Sequence, residues 1–307
     1  MSSYLSKYET FMEAAKTKSM SKAAANTHQT VPGVSYTIAK LEEEWGIPLF
    51  VRNRGKISLS EAGEALMPFI EDVLKAQERL EQEVLSFKGI EKGTVRVGGL
   101  RCVTKQWLPS MLRDMADEYP NIQMELVLNP YEEIQNDLLN GVIDIAFAGE
   151  PATKLLDFYY VIDDPFVVVL PENSPLGDRE ELCLEDLKDQ KLIMPNWSTD
   201  KELLSLVEKS RIDGQIIHRI KDTGTIVSMV ESGIGISILP YFITDGEKAD
   251  VKTVKLKDWP VRRFGIVTSS FQRLSPSAKK FLRCARDWLD ANREHIGFYA
   301  KIHEKDS

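Results

Sequence analysis

Apolar residues near the start of the chain recur at helical spacing. Leu5, Tyr8, Phe11, Met12 and Ala15 predict a first helix from about Leu5 to Lys18. Ser21 is a suitable N-cap for a short second helix, Lys22–Thr27, whose alanines Ala23, Ala24 and Ala25 let another helix approach closely. Thr30 caps a third helix, with Pro32 in its first turn, where the missing N–H costs nothing. Val34, Ile38 and Leu41 form its buried stripe, leaving Ser35, Tyr36, Thr37 and Lys40 outward. Gly46 ends it. Two short apolar segments then flank the polar tip Arg52–Lys56, a pattern that suggests a β-wing, with a solvated turn as the alternative.

From Glu61 to Lys88 only Pro68 interrupts a helical pattern. Leu66, Ile70, Val73, Gln77, Leu80, Val84 and Phe87 follow 4-3-4-3-4-3 spacing, a seam that needs a partner helix. Beyond Gly89–Gly93 the period changes. Strands are expected at Thr94–Gly98, Ile122–Leu128, Ile143–Ala148, Phe166–Leu170, Lys191–Met194, Ile216–Ile220, Ile236–Leu239 and Phe264–Thr268. Helices are expected at Thr104–Tyr119, Glu132–Leu139, Lys201–Lys209, Thr225–Ser232 and near Ser277–Asn292. Such alternation implies parallel βαβ units.

Composition narrows the class. The 307 residues are 43% hydrophobic and 28% charged, which is globular and long enough for about two domains. No apolar run reaches the roughly 18 residues of a membrane span, and the first residues lack a secretory signal's apolar segment, so a cytoplasmic protein is expected. Cys102, Cys183 and Cys284 are too few and too scattered for a disulfide framework. The net charge is −8, yet residues 1–60 hold eight basic and five acidic side chains, a local +3 on an acidic body. That asymmetry suits phosphate contact by the N-terminal segment. Two short helices joined by a tight turn are a helix-turn-helix, whose second helix can enter a major groove; a plain three-helix bundle has the same periodicity.

The motifs go further. Ala23-Ala24, Pro32-Gly33-Val34-Ser35, Ile38, Leu41-Glu42, Gly46, Leu49-Phe50, Arg52 and Leu59-Ser60-Glu61-Ala62-Gly63 resemble the LysR-type transcriptional regulators over about 60 residues. The resemblance implies an α/β protein with an N-terminal winged helix-turn-helix over 1–60 and a linker and dimerisation helix over 61–89. A two-lobed effector domain like a periplasmic binding protein would follow over 90–307, with lobe I at 90–163 and 268–307 and lobe II at 164–267. The chain would cross between lobes near Ile162–Pro165 and Ile266–Ser270. Thr30, Val31, Pro32, Ser35, Tyr36 and Lys40 would then face DNA, with Arg52 and Arg54 on the wing. Val31 stands where the family often has glutamine and Tyr36 where arginine is common. Leu66, Ile70, Val73, Leu80 and Val84 would be buried between two chains, as a dimer or a dimer of dimers.

Ligands of such sheets sit beyond the carboxyl ends of strands. This selects Leu100, Arg101, Cys102, Val103 and Thr104, Asn129, and Ala148 with Gly149. From the second lobe it selects Asn196, Trp197, Ser198 and Thr199, and Thr223 with Thr225. The hydroxyls at 198, 199, 223 and 225 also suit helix capping. Helix N-termini at Ser198–Lys201 and Thr223–Ile226, with Arg101 and Lys105 nearby, favour an anionic effector.

Other chemistry is poorly represented. There is no Walker-type loop, Gly233-Ile234-Gly235 reads as a helix C-cap, and His28, His218, His295 and His303 lack metal spacing with the cysteines, so no cofactor or metal is expected. His28 falls in the helix-turn-helix turn. Asp163-Asp164 and Glu180-Glu181 read as solvated loop charges. The expected function is a ligand-responsive DNA-binding regulator rather than an enzyme. The alternatives are a solute-binding protein or enzyme on the same α/β body, which leaves the N-terminal module idle, and a thiol redox regulator using Cys102.

Overall fold

The first apolar stripe becomes helix α1 (Tyr4–Thr17), whose Phe11, Ala14 and Ala15 are buried. The computed structural model describes residues 4–53, 56–89, 91–99, 101–128, 131–196, 207, 215–245, 249–257, 261–294 and 296. Contacts divide the chain into two compact units, Met1–Ile90 and Glu91–Ser307.

In the first unit α2 (Met20–Asn26) and α3 (Val31–Trp45) follow, then a hairpin of β1 (Phe50–Asn53) and β2 (Lys56–Leu59), then α4 (Glu61–Phe87). The second helix starts earlier than expected. Ser19, not Ser21, is its N-cap; Lys18 turns the chain with a φ of 52°, so the extended Ser19 accepts from the Lys22 N–H. Thr30 caps α3 through the Gly33 N–H at 3.2 Å, and Gly46 closes it at a φ of 70°, which favours glycine. Val34, Ile38 and Leu41 pack with Phe11, Ala23, Ala24 and Leu49 in one core. Each of the valine, isoleucine, leucine and phenylalanine side chains contributes about 1.5–3 kcal/mol on burial. Helix α4 is continuous through Pro68.

The second unit holds a five-stranded sheet in the order β4-β3-β5-β13-β6. Its strands are β3 (Gly93–Gly99), β4 (Ile122–Val127), β5 (Ile145–Gly149), β6 (Asp157–Asp164) and, much later, β13 (Arg262–Thr268). Between them lie α5 (Arg101–Gln106), α6 (Leu108–Glu118) and α7 (Tyr131–Leu139). The expected helix Thr104–Tyr119 is thus two helices, broken at Trp107, with Pro109 in the first turn of the second. Pro109 cannot donate to the carbonyl four residues back, so one continuous helix would lose a bond there.

A four-stranded sheet, β11-β7-β12-β8, and a pair β10-β9 make the other lobe. They comprise β7 (Phe166–Pro171), β8 (Glu181–Leu182), β9 (Leu192–Pro195), β10 (Ile216–Ile220), β11 (Ser237–Pro240) and β12 (Val251–Leu256). Helix α8 (Thr223–Glu231) and the short α9 (Tyr241–Asp245) flank them, and α10 (Pro276–Ala291) is the last described element. The expected helix Lys201–Lys209 lies, apart from Val207, outside the described residues.

Parallel pairing holds for β3 with β4 and β5, and for β9 with β10. It holds also for β12 with β8, but not for the rest: β13 is antiparallel to β5 and β6, and β7 is antiparallel to β11 and β12. The second crossing also differs from expectation. It falls between Leu256 and Arg262, because all of β13 pairs within the first sheet, and not at Ile266–Ser270. The first crossing lies at Asp164–Phe166, as β6 gives way to β7.

Candidate functional site

Burial of Val34, Ile38 and Leu41 leaves the opposite face of α3 outward. Thr30, Val31 and Pro32 are exposed at its start, Ser35 is half-buried, and the Tyr36 side chain is 70% exposed. Lys40 lies one turn beyond Tyr36, where its ammonium pairs with Glu43 at 2.9 Å. That hydrogen bond, ahead of the charge attraction, raises the Lys40 pKa. The helix is braced from behind: Lys7 on α1 pairs with Glu44 at 2.6 Å, and Gln29 donates to Thr10 at 2.9 Å.

The wing is anchored by polar groups at its root. Glu42 accepts from the Leu49 and Phe50 N–H groups at 2.7 and 3.1 Å. Ser60 caps α4 through the Gly63 N–H at 3.0 Å and donates to the Pro48 carbonyl at 2.6 Å. Gly63 must be small, since a Cβ there would lie 2.2 Å from the Leu49 carbonyl oxygen. Arg52 pairs with Ile57 in the hairpin; its side chain, and all of Arg54, lie outside the described residues.

On α4 the seam residues separate into two sets. Ile70 is buried in the unit's own core and Leu66 packs against it, which corrects the expectation that both are buried between chains. Val73, Leu80, Val84 and Phe87 remain exposed, joined by Phe69, which the heptad reading missed.

In the second unit, pairing of Gly99 with Phe147 brings the carboxyl ends of β3 and β5 to one edge. The crossing lies at the same edge, because β13 begins there beside Gly149 and Glu150. In the other lobe Pro195 pairs with Ile220, so Asn196 and Asp222 lie at one end; β9 runs with Ile236, which directs that end toward the crossing. The strand ends that precede the candidate loops therefore lie on the crossing side.

Several members have other tasks. Residues 101–104 belong to α5 rather than a loop, Val103 is buried in the first lobe's core, and Thr104 is half-buried. Ala148 packs under α7 with Ile134 and Leu138, and Gly149 is buried. Asn196 is exposed, its N–H given to the Ile220 carbonyl. Leu100, Asn129, Trp197, Ser198 and Thr199, and the side chains of Arg101 and Cys102, lie outside the described residues.

Thr223 and Thr225 do not cap α8. Asp222 does, its Oδ2 accepting from the Thr225 N–H at 2.8 Å and the Thr225 hydroxyl at 2.7 Å. The positive end of α8 thus already faces a carboxylate, which removes the basis for an anion seated there.

Two family profiles match this arrangement. Residues 5–64 match the bacterial regulatory helix-turn-helix protein of the lysR family, and residues 88–290 match the LysR substrate binding domain. The chain belongs to the LysR family of transcriptional regulators. This LysR regulator is a ligand-responsive, DNA-binding protein. It is 26% identical to the HTH-type transcriptional activator CmpR of Synechocystis over 95% of this chain and 96% of that one. It is also 26% identical to the transcriptional dual regulator GltC of Bacillus subtilis, covering 88% and 92%. A full-length OxyR from Pseudomonas aeruginosa shares the fold at a TM-score of 0.70 and 20% identity, covering 93% and 94%. CbnR solved with its target DNA does so at 0.67 and 18%, covering 92% and 99%. Among the described residues, no helix of this LysR regulator is long and apolar enough to cross a membrane.

Two thiols are held toward the neutral form, whereas thiol redox chemistry proceeds through the thiolate. Cys183 donates to Asp186 at 3.0 Å, and that hydrogen bond pushes the thiol up. Cys284 is raised by burial. Asp186 gains from the same geometry: the Cys183 thiol, the Cys183 N–H and Arg179 hold its carboxyl at about 2. An unfolded aspartate titrates near about 3.9. Its stabilisation is therefore complete above that value and is lost as pH falls through about 2. Carboxyl-carbon NMR should place its midpoint near 2, and Arg179→Ala should move it upward.

Proposed function

We propose that this regulator reads its operator with the outward face of α3, using Thr30, Val31, Pro32, Ser35, Tyr36 and Lys40, while Arg52 and Arg54 on the wing hold the phosphate backbone. The exposed Tyr36, on a helix whose opposite face is fully spent on the core, supports this reading most directly. Tyr36 offers a ring to a thymine methyl and a hydroxyl to a phosphate, without the fork by which arginine reads guanine. Residues 1–60 serve as the reader, 61–89 as the linker that pairs two copies, and 90–307 as the effector domain. The protein acts as an oligomer in the cytoplasm and catalyses no reaction. Its effector is a small polar molecule held on the crossing side of the two lobes. With Asp222 on α8, the reading carries no preference for an anion.

Duplex binding by the purified chain, footprinted upstream of its own gene and measured at several salt concentrations, tests this. Arg52→Ala should weaken all duplexes alike and reduce the salt slope by about one. Tyr36→Ala should instead change the ranking of operator variants. If neither variant departs from the parent, the docking is wrong.

A further inference from the structure

The local sequence reads Asp164 as a solvated loop charge, yet it is fully buried. It stands where the chain leaves the first lobe, as the last residue of β6. Its Oδ2 accepts from Arg262 Nη2 at 2.5 Å, and Arg262 opens β13, where the chain returns. Its Oδ1 accepts from the Phe242 N–H at 3.0 Å, and next to it the Tyr241 N–H donates to the Pro165 carbonyl at 2.9 Å. One carboxylate thus ties both crossing strands to the start of α9.

Helix α9 is five residues long, and its first two side chains enter different cores. Tyr241 is buried in the second lobe with Val167, Val169 and Leu239. Phe242 is buried in the first lobe's core, edge-on to Trp107 at 5.2 Å and 5.4 Å from Phe264. Trp107 directly follows α5, which α9 touches and which begins at the effector side of β3. Two strands alone would act as a simple hinge. Here the lobes cannot rotate about those strands without moving a side chain packed in each core, and close-packed cores resist such movement in small steps.

We infer that α9 is a third connection between the lobes, clamped to the crossings by Asp164, and that it transmits a change at α5 to both crossing strands. The inference rests on the reading of the α5 end as the effector side. It assigns to Asp164 and Phe242 a role in conformational coupling that neither needs for binding DNA or effector.

Hydrogen exchange on the full chain, with no DNA or effector added, tests the coupling. Asp164→Asn keeps the shape and removes the charge opposite Arg262. Residues 102–107 and 242–245 should then exchange about tenfold faster together, while β5 and β7 keep the parental rate. Adding Arg262→Gln should bring both segments back toward the parent. Phe242→Leu is measured in parallel because it keeps the ion pair and removes the ring contact, so a result is obtained even where loss of the charge unfolds a lobe. It should speed residues 102–107 about tenfold with both sheets unchanged. Parental exchange of 102–107 in Phe242→Leu, or faster exchange of α9 alone in Asp164→Asn, overturns the inference. Failure of duplex binding is a separate result that bears on the regulator reading and not on this one.

Discussion

Leu80→Asp is expected to split the oligomer and to abolish tight operator binding. The 27-residue α4 is about 40 Å long. Along it Phe69, Val73, Leu80, Val84 and Phe87 are 68%, 44%, 58%, 45% and 87% exposed. A row of that length on one helix is expected to be a partner surface rather than scattered surface residues. A carboxylate in its middle would lose its hydration on pairing with nothing to compensate. Two readers on one rigid element engage two half-sites at high effective concentration, so a single reader should bind about 10²–10⁴-fold more weakly. Light scattering at micromolar concentration should give the 34.8 kDa monomer mass for the variant and a multiple of it for the parent. A monomeric parent, or a variant that stays paired, removes α4 as the interface. Ile70→Asp should act differently, by unfolding the N-terminal core to which Ile70 belongs.

Gly63→Ala should disable the reader without touching a residue that faces DNA. The added methyl would lie 2.2 Å from the Leu49 carbonyl and 3.0 Å from Leu59, so the backbone must shift. Overpacking of this kind costs about 1–3 kcal/mol. The displaced segment also carries the Ser60 cap and the Glu42 anchor of the wing. Amide exchange should quicken across α1 to α3 and operator affinity should fall, while β3, β5 and β7 keep their protection. Unchanged exchange in α1 to α3 would show that the close approach is not structurally required.

The helices of the first unit were legible because each has one continuous apolar stripe meeting one core. Strands β6 and β12 were not. Among the described residues β6 has only β13 as a neighbour, and its residues are mostly half-buried or exposed, so Asp157–Asp164 shows no clean apolar run. In β12, Lys252 and Lys255 interrupt the apolar positions and pair with Asp178 and Glu181 across the surface. The five residues of α9 are too few to show a helical period. Of the candidate site, the outward face of α3 could be read directly, since burial of one face specifies the other. The effector residues could be read only as strand ends, and several of those are occupied by packing, as Val103 and Ala148 are.

The sequence by itself determined the reader: its helices, the Thr30 cap, the Gly46 stop, the family and hence the DNA-binding function. All of these depend on neighbours within a few turns. The tertiary structure decided what each outward or polar residue meets. Asp163 and Asp164 are chemically identical neighbours, yet Asp164 is buried because strand pairing brings Arg262 to it from 98 positions away. Asp222 outcompetes Thr223 and Thr225 for the cap of α8 because the chain enters that helix extended at Asp222. Ile70 and Val73 share one heptad seam, but only Ile70 reaches the core beneath α1 to α3. Periodicity reports that a face is covered; which partner covers it depends on contacts between distant segments, and no local pattern encodes those.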